Sequence, residues 1–390
     1  MIFYFVDNEE FEPSSPIILQ VAHGRVIPQF VSAYSLRCHS LLRNSNRTLI
    51  SFAGAIFKDE KKEYSEQYRS LVVTFISLLR GNRVLEIYIS MGKYLRKRYV
   101  NRLRELVNLS DIIIFEGPWQ YNLVKDLIAQ KFVVYDAHNV EYSLREGNKF
   151  QAKCRIIEGN ILDRADLVLA VTKRDAKTFR ETYNVSESKL YFSPHVLHVS
   201  EVEWKGSQSN HIVFIGSIYS PNNSALVEIY NLAKMFPEYT FDIIGSAKSS
   251  RRLKLKNIIH HGIVDEETKD KIMSNSFIAI NPVLEGSGRN LKMMDYLAHG
   301  LPILSTQIGI RGFEEYDLSD IVYIANIENF GEAIKVMSSD REKLRVMSEN
   351  AKKVYENIIR TEGGIEPEEI ILEKYRQFKD NQIQSSGKKL

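Results

Sequence analysis

Only two cysteines, Cys38 and Cys154, occur in 390 residues, and they stand far apart in the sequence. No CxxC pair and no disulfide framework can be read from them, so a reducing, cytoplasmic setting is expected. Charge of one sign is also scarce in excess. Lysine and arginine total 52 against 49 aspartates and glutamates, for a formal net charge of +3. Such a balance does not call for nucleic acid, although a local basic patch is compatible with it. Long hydrophobic runs are missing too. No stretch of about 18 uncharged apolar residues exists, so no membrane-spanning helix is expected. The apolar start Met1–Val6 stops at Asp7 and lacks both a basic leader and a long apolar region, which argues against a signal peptide. Any membrane association would therefore be peripheral. Short-period repeats and low-complexity segments are likewise lacking.

What the chain does have is ordinary globular material: 44% hydrophobic and 26% charged residues. At roughly 100–200 residues per domain the length suggests two or three domains. In the C-terminal half, apolar runs at 211–217, 240–245, 257–263, 276–281, 301–305 and 321–325 read as strands. Amphipathic stretches such as 223–235 and 290–299 lie between them. Alternation of this kind implies right-handed crossovers and a parallel sheet covered on both faces. The N-terminal half repeats the rhythm at 17–22, 48–52, 111–115, 132–135 and 167–171. Most of 61–109 reads as helical, and 71–79 fits a strand or a buried helix equally well. Residues 200–210, polar and without apolar periodicity, read as a linker. The fold class expected is α/β, with two doubly wound parallel-sheet domains: 1–199, and 211–360 after the linker. Residues 361–390 form a final helix, apolar at Ile370, Ile371, Leu372 and Tyr375, with a polar tail. Ligands of such sheets bind at the carboxyl ends of the strands, which makes the cleft between two such domains the default active site.

The segment 281–306 (NPVLEGSGRNLKMMDYLAHGLPILST) carries the most chemistry. It reads as a strand end, a glycine-rich loop, a helix and a further strand. Gly286 and Gly288 permit a tight turn and close approach of the backbone to a ligand. A helix opening near Asn290 would aim free N–H groups into the loop, an arrangement suited to a diphosphate. Arg289 and Lys292 add positive charge. Glu285 and Asp295 bracket the loop, and carboxylates are good acceptors for sugar and ribose hydroxyls; a plain strand-to-helix turn with solvated charges is the alternative reading.

Taken together, EGSGRNLKMMDYLAHGLPILST resembles the donor-site signature of the GT-B-fold, family 4 retaining glycosyltransferases. The segment from Tyr135 to Glu141 resembles the YDxHNxE segment of that family's first domain. Phe214-Ile215-Gly216-Ser217 followed by Pro221-Asn222 resembles the first strand and turn of its second domain. Thr172–Phe179 and the C-terminal helix resemble further parts, so the likeness spans nearly the whole chain. It implies two Rossmann-like domains and transfer of a sugar, with retention of anomeric configuration, from a nucleotide-sugar to a glycan or lipid-linked acceptor. It further implies that Glu285 contacts the transferred sugar and Asp295 the ribose. The diphosphate would fall to Ser287, Gly288, Arg289, Asn290, Leu291 and Lys292, with Gly216 and Ser217 beside it. His138 would face the sugar from the first domain. No metal and no cofactor beyond the donor are implied.

This sequence departs from the family pattern in three ways. The second carboxylate is Asp295 rather than glutamate. It lies ten positions after Glu285, two more than the commoner spacing, so either Glu285 or Ser287 takes the first carboxylate's place. The turn after Gly216 lacks the arginine and lysine of many members, which shifts phosphate binding onto Arg289 and Lys292.

In the N-terminal half His23, Gly24 and Arg25 follow the first strand, where the family has a glycine-rich loop on the acceptor side; an ordinary loop is the alternative reading. His138 stands at a strand's carboxyl end, which favours a functional over a structural histidine. His195 reads as a turn residue on the hinge side, and His260-His261 has no metal-ligand company. Residues 93–104 carry Lys93, Arg96, Lys97, Arg98, Arg102 and Arg104, with Leu95, Tyr99, Leu103 and Leu106 as an apolar seam. Such a helix can dock on anionic lipid, or it can be a solvated face. Two other functions compete with sugar transfer. A nucleotide-sugar 2-epimerase would need additional clustered carboxylates and histidines, which the sequence does not display together. A non-catalytic nucleotide-sugar-binding protein is the third reading.

Overall fold

The computed structural model of the chain describes residues 16–24, 33–42, 45, 47–52, 65–68, 87, 89–90, 97–147, 149–197, 199, 202–217, 220–247, 255–364 and 366–387. The chain divides into two compact units: residues 1–193 with 366–390, and residues 194–365.

The first unit is built on a seven-stranded sheet in the order β3-β2-β1-β4-β5-β6-β7. Its strands are β1 (Ile18–Ala22), β2 (Arg47–Phe52), β3 (Ser65–Tyr68), β4 (Ile112–Glu116), β5 (Phe132–Ala137), β6 (Leu167–Ala170) and β7 (Leu190–Phe192). Every pairing is parallel. The central strands are apolar at nearly every position because both sheet faces are covered. Ile113, Phe115, Val133, Tyr135 and Val168 point into one core, while Ile112, Ile114, Phe132, Val134 and Leu167 point into the other. The helix Pro367–Gly387 closes the second core. Ile371 is fully buried there, and the rings of Tyr375 and Phe378 lie 6.0 and 5.5 Å from that of Phe132.

Two strands depart from the sequence reading. β3 lies within the stretch read as mostly helical, and β7 has no counterpart in it. Both are edge strands of three or four residues, too short for a period-two pattern to stand out. Residues 71–79 lie outside the described residues.

The second unit has a six-stranded, all-parallel sheet in the order β10-β9-β8-β11-β12-β13. Its strands are β8 (His211–Ile215), β9 (Thr240–Ile244), β10 (Ile258–Gly262), β11 (Ile278–Asn281), β12 (Ile303–Ser305) and β13 (Val322–Ile324). Each falls inside a run read from the sequence. Residues 202–210, the described part of the expected linker, are docked on the second unit rather than free. Trp204 Nε1 donates to the Ser276 carbonyl at 2.8 Å, and a Cβ on Gly206 would meet that same carbonyl oxygen at 1.8 Å. Their polar composition hides this docking, and the units meet in the chain at 193/194 instead.

In both sheets the strand order reverses beside the first strand of the unit, between β1 and β4 and between β8 and β11. The carboxyl ends of these strands are the topological switch points where doubly wound sheets leave a crevice for ligands.

Candidate functional site

In the second unit the loop 282–291 leaves β11 at its switch point. Gly286 has φ +142° and Gly288 has φ +67°, values that side chains other than glycine's rarely tolerate. The close approach expected at Gly286 is made by a protein group: a Cβ there would lie 2.8 Å from the guanidinium carbon of Arg311. Arg311 Nε also donates to the Ser287 carbonyl at 3.4 Å. Arg311 follows β12 by six residues, outside the glycine-rich segment, and nothing in its local sequence marks it as a partner of that loop.

The second cation is Lys292, at the first position of the helix Lys292–Ala298. Its Nζ donates to Asn222 Oδ1 at 2.8 Å and sits 4.2 Å from the centroid of Phe214. Asn222 in turn donates to the Ser217 carbonyl at 3.0 Å, so it links the β8 turn to Lys292. Close packing holds that turn: Gly216 N–H donates to Ile244 O and Gly216 O accepts from Ala247 N, both at 2.9 Å. Burial and then the Arg311 charge push the Lys292 ammonium well below the usual lysine value. The two cations are near enough that the charge of one disfavours the charge of the other.

Two expectations for this loop are corrected, at Arg289 and at the start of the helix. Arg289 does not stand beside Lys292 as a free cation. Its guanidinium is 2% exposed, paired with Glu362 and laid over Phe313 at 4.4 Å. Its Nε and Nη2 have no hydrogen-bond partner. The helix opens at Lys292 rather than near Asn290, runs seven residues, and begins with short-range bonds from Met293 N to Asn290 O and from Met294 N to Leu291 O. Asn290 N–H itself donates to Arg311 O at 3.1 Å. The N–H groups expected to face a phosphate are therefore partly spent inside the loop, and the positive charge comes from side chains instead. Asp295 is buried and accepts from Lys269 Nζ at 3.0 Å. Burial raises its carboxyl and the lysine opposes that rise. Glu285 and Ser287 are both half-exposed on the loop, while Leu291 is buried.

In the first unit the carboxyl ends of β1, β4 and β5 bring together groups spread over more than a hundred residues. His23 follows β1, Glu116 ends β4, and Asp136 and His138 close β5. Glu116 Oε2 lies 2.6 Å from His138 Nε2. Glu116 Oε1 accepts from Gln20 Nε2, which also donates to the Cys38 carbonyl at 2.8 Å. Asp136 receives a two-pronged contact from Arg37 at 3.0 and 2.7 Å. Tyr34 packs on His138 with ring centroids 4.7 Å apart and accepts from His23 N–H at 3.0 Å. It also fills the space over Gly24, where a Cβ would come within 2.9 Å of its ring.

The electrostatics follow from burial. Burial and then the neighbouring Asp136 raise Glu116, with His138 opposing. Burial would raise Asp136 as well, but the Arg37 guanidinium wins and holds it low. Burial, then the proximity of His138, lowers His23 to about 3, so His23 is neutral at physiological pH. Cys38, Glu116 and His138 bring one metal-ligand atom each within 4.8 Å of one another, the sole such group among the described residues.

The carboxylates and histidines of this cluster are dispersed in the sequence, and only the sheet topology assembles them; Arg25 lies outside the described residues. The basic helix is corrected as well. The described part, Lys97–Leu109, turns Tyr99, Leu103 and Leu106 into the core, so the apolar seam is not available to lipid. Arg102 pairs with Glu105 at 2.9 Å and Arg104 with Asp126 at 2.5 Å. Lys97 and Arg98 are exposed, and Lys93, Arg96 and Leu95 lie outside the described residues. Among the described residues no helix is long and apolar enough to cross a membrane. His195, expected in a hinge-side turn, is buried two residues past the boundary between the units.

Residues 209–340 match the model of the family described as "Glycosyl transferases group 1". A curated relative, an uncharacterized 44.6 kDa protein in the cps region of Klebsiella pneumoniae, is 25% identical over 287 residues, covering 66% of this chain and 74% of the relative. The crystal structure of Anabaena Alr3699/HepE in complex with UDP and glucose superposes with a TM-score of 0.66 at 14% identity, covering 94% of this chain and 99% of that one. The structure of WaaG, a glycosyltransferase involved in lipopolysaccharide biosynthesis, gives 0.59 at 13% identity, covering 93% and 99%. The chain therefore has the GT-B fold of two Rossmann-like units, and its second unit carries the sequence pattern of group 1 glycosyl transferases.

Proposed function

We propose that this protein is a glycosyltransferase whose second unit holds the diphosphate of a nucleotide-sugar. The observation that carries this reading is Arg311 seated over Gly286 together with Lys292 at the head of the helix that leaves the loop, two cations near enough that Arg311 lowers Lys292, at the switch point of the second sheet. A diphosphate offers anionic oxygens that two neighbouring half-buried cations can hold through charge-assisted hydrogen bonds. During transfer, negative charge builds on the leaving diphosphate, and preorganised cations stabilise it at the moment it forms. A UDP-sugar is the first donor to test, because the Anabaena protein of the same fold was crystallised with UDP and glucose.

Asp295 and Glu285 are the carboxylates proposed for ribose and sugar hydroxyls, and His138 is the group proposed to act on the sugar from the first unit. The acceptor is proposed to be a glycan or lipid-linked saccharide. Any membrane contact would be electrostatic, through Lys97 and Arg98, because the apolar seam of their helix is core. Retention of configuration and metal independence rest on the family resemblance. The test is transfer from a panel of UDP-, GDP- and ADP-sugars, with NMR of the product's anomeric centre. An inverted linkage would refute retention, and a chain that binds no nucleotide would refute the donor site.

The cluster of Glu116, Asp136, His23 and His138 favours one second reading, an epimerase acting on the same donor. Conversion of the nucleotide-sugar to an epimer without any acceptor would select it.

A further inference from the structure

The hydrogen bonds that end on His138 have a direction fixed from the far end. The Cys38 carbonyl oxygen can only accept, and Gln20 Nε2 donates to it at 2.8 Å. That contact sets which way the Gln20 amide faces, so the same nitrogen donates to Glu116 Oε1. Glu116 Oε2 is then left facing His138 Nε2 at 2.6 Å. An ionised carboxylate only accepts, so with Glu116 ionised the ring nitrogen opposite carries the proton. Gln20 and Glu116 are fully buried, at the middle of β1 and the end of β4, which keeps bulk water from replacing either partner.

We propose that Glu116 is a positioning residue for His138, holding the imidazole in one orientation and, when neutral, as the Nε2–H tautomer. A neutral ring in this form carries its lone pair on Nδ1. The other charged or titratable groups packed around the pair are His23, Tyr34, Arg37, Cys38, Arg47 and Asp136. Arg37 is committed to Asp136, and the Cys38 thiol is pushed up by burial and then by Glu116. Asp136 Oδ2 stands 3.6 Å from the same ring nitrogen, beyond hydrogen-bond distance, so Glu116 at 2.6 Å is the acceptor for His138. The functional consequence, though not the tautomer, rests on the role proposed for His138 in transfer.

The experiment is long-range proton–nitrogen NMR of the ¹⁵N-histidine-labelled full chain, at a pH where the imidazole is neutral, with His138→Ala identifying the signals. The wild type is expected to show a protonated Nε2 and a bare Nδ1. In Glu116→Gln, Gln20 still has to donate to position 116, so the new amide turns its oxygen to Gln20 and its nitrogen to His138. The histidine must then offer a lone pair at Nε2, and its tautomer inverts. Turnover should fall roughly 10- to 100-fold, as for loss of other groups that orient a working histidine, while UDP affinity stays unchanged. Glu116→Asp keeps an acceptor-only side chain and should keep the wild-type tautomer, which covers the case of a glutamine variant that does not fold. A wild type with the proton on Nδ1, or a glutamine variant with an unchanged tautomer, overturns the proposal. If the tautomer inverts but His138→Ala transfers sugar normally, the positioning stands and the reading of His138 as a working residue fails.

Discussion

Arg289 and Glu362, 73 residues apart, form a buried ion pair that ties the end of the glycine-rich loop to the last residue of the helix Arg341–Glu362. Tyr316 adds its hydroxyl to the same carboxylate at 2.7 Å, and Phe313 lies under the guanidinium. Removing one partner of a buried pair leaves the other desolvated and uncompensated, at a cost of about 3–5 kcal/mol. Arg289→Ala is therefore expected to lower the unfolding midpoint of the second unit markedly, read by calorimetry or circular dichroism. Where that variant is folded, its UDP affinity should change less than that of Lys292→Ala. A variant with unaltered stability and abolished UDP binding would return Arg289 to the phosphate site.

Glu158 gives the first unit a pH dependence. Its carboxyl accepts the backbone N–H groups of Glu141 and Tyr142 and the hydroxyls of Tyr135 and Tyr183, and so holds the short helix that follows His138. Burial raises it from 4.5 to about 7, with Tyr183 opposing. A carboxyl raised in the folded state binds its proton more tightly there than in the unfolded chain. Its contribution is thus fully present below about 4.5 and is lost as pH rises through about 7. Thermal unfolding followed between these limits should show the first unit weakening with rising pH, a slope that Glu158→Gln removes. An unchanged slope in the variant would assign the dependence to other groups.

The reach of the sequence can be judged from particular residues. The strands of the second sheet are legible because each is an apolar run bounded by turn residues. Gly286, Gly288 and Lys292 are legible because loop chemistry is local. Arg289 misleads because a charge beside a glycine-rich loop reads the same whether it faces a ligand or a buried Glu362. Arg311 is invisible because its position over Gly286 comes from the return of the chain after β12. Glu116, Gln20 and Asp136 are hidden for the same reason: strand order alone brings them to His138. The seam of Tyr99, Leu103 and Leu106 fits core or lipid equally well, and only packing decides.

Metal dependence is a separate check. The positive charge at the proposed diphosphate site is supplied by Lys292 and Arg311. Transfer activity is expected to survive EDTA. Loss of activity in EDTA and its return with Mg²⁺ or Mn²⁺ would show that side-chain cations are not sufficient.

Lys292 predicts proton uptake. Burial and Arg311 lower its pKa in the free protein, and a bound diphosphate favours the charged ammonium, raising the pKa in the complex. Binding is then strongest at low pH and weakens as pH rises through the value in the complex. Calorimetric titration in buffers of different ionisation enthalpy should show protons taken up on binding UDP, and Lys292→Ala should abolish that uptake. Binding with no proton exchange in the wild type would contradict the assignment.

The central claim is that the loop Gly286–Lys292 with Arg311 binds a nucleoside diphosphate, and calorimetric titration of the full chain with UDP tests it most directly. Each charge-assisted contact to a phosphate contributes about 1.5–3 kcal/mol, or roughly 10- to 150-fold in affinity. Wild-type protein is expected to bind UDP, with Lys292→Ala and Arg311→Ala each weakening it by about that factor. Equal UDP affinity in the wild type and both variants would contradict the account.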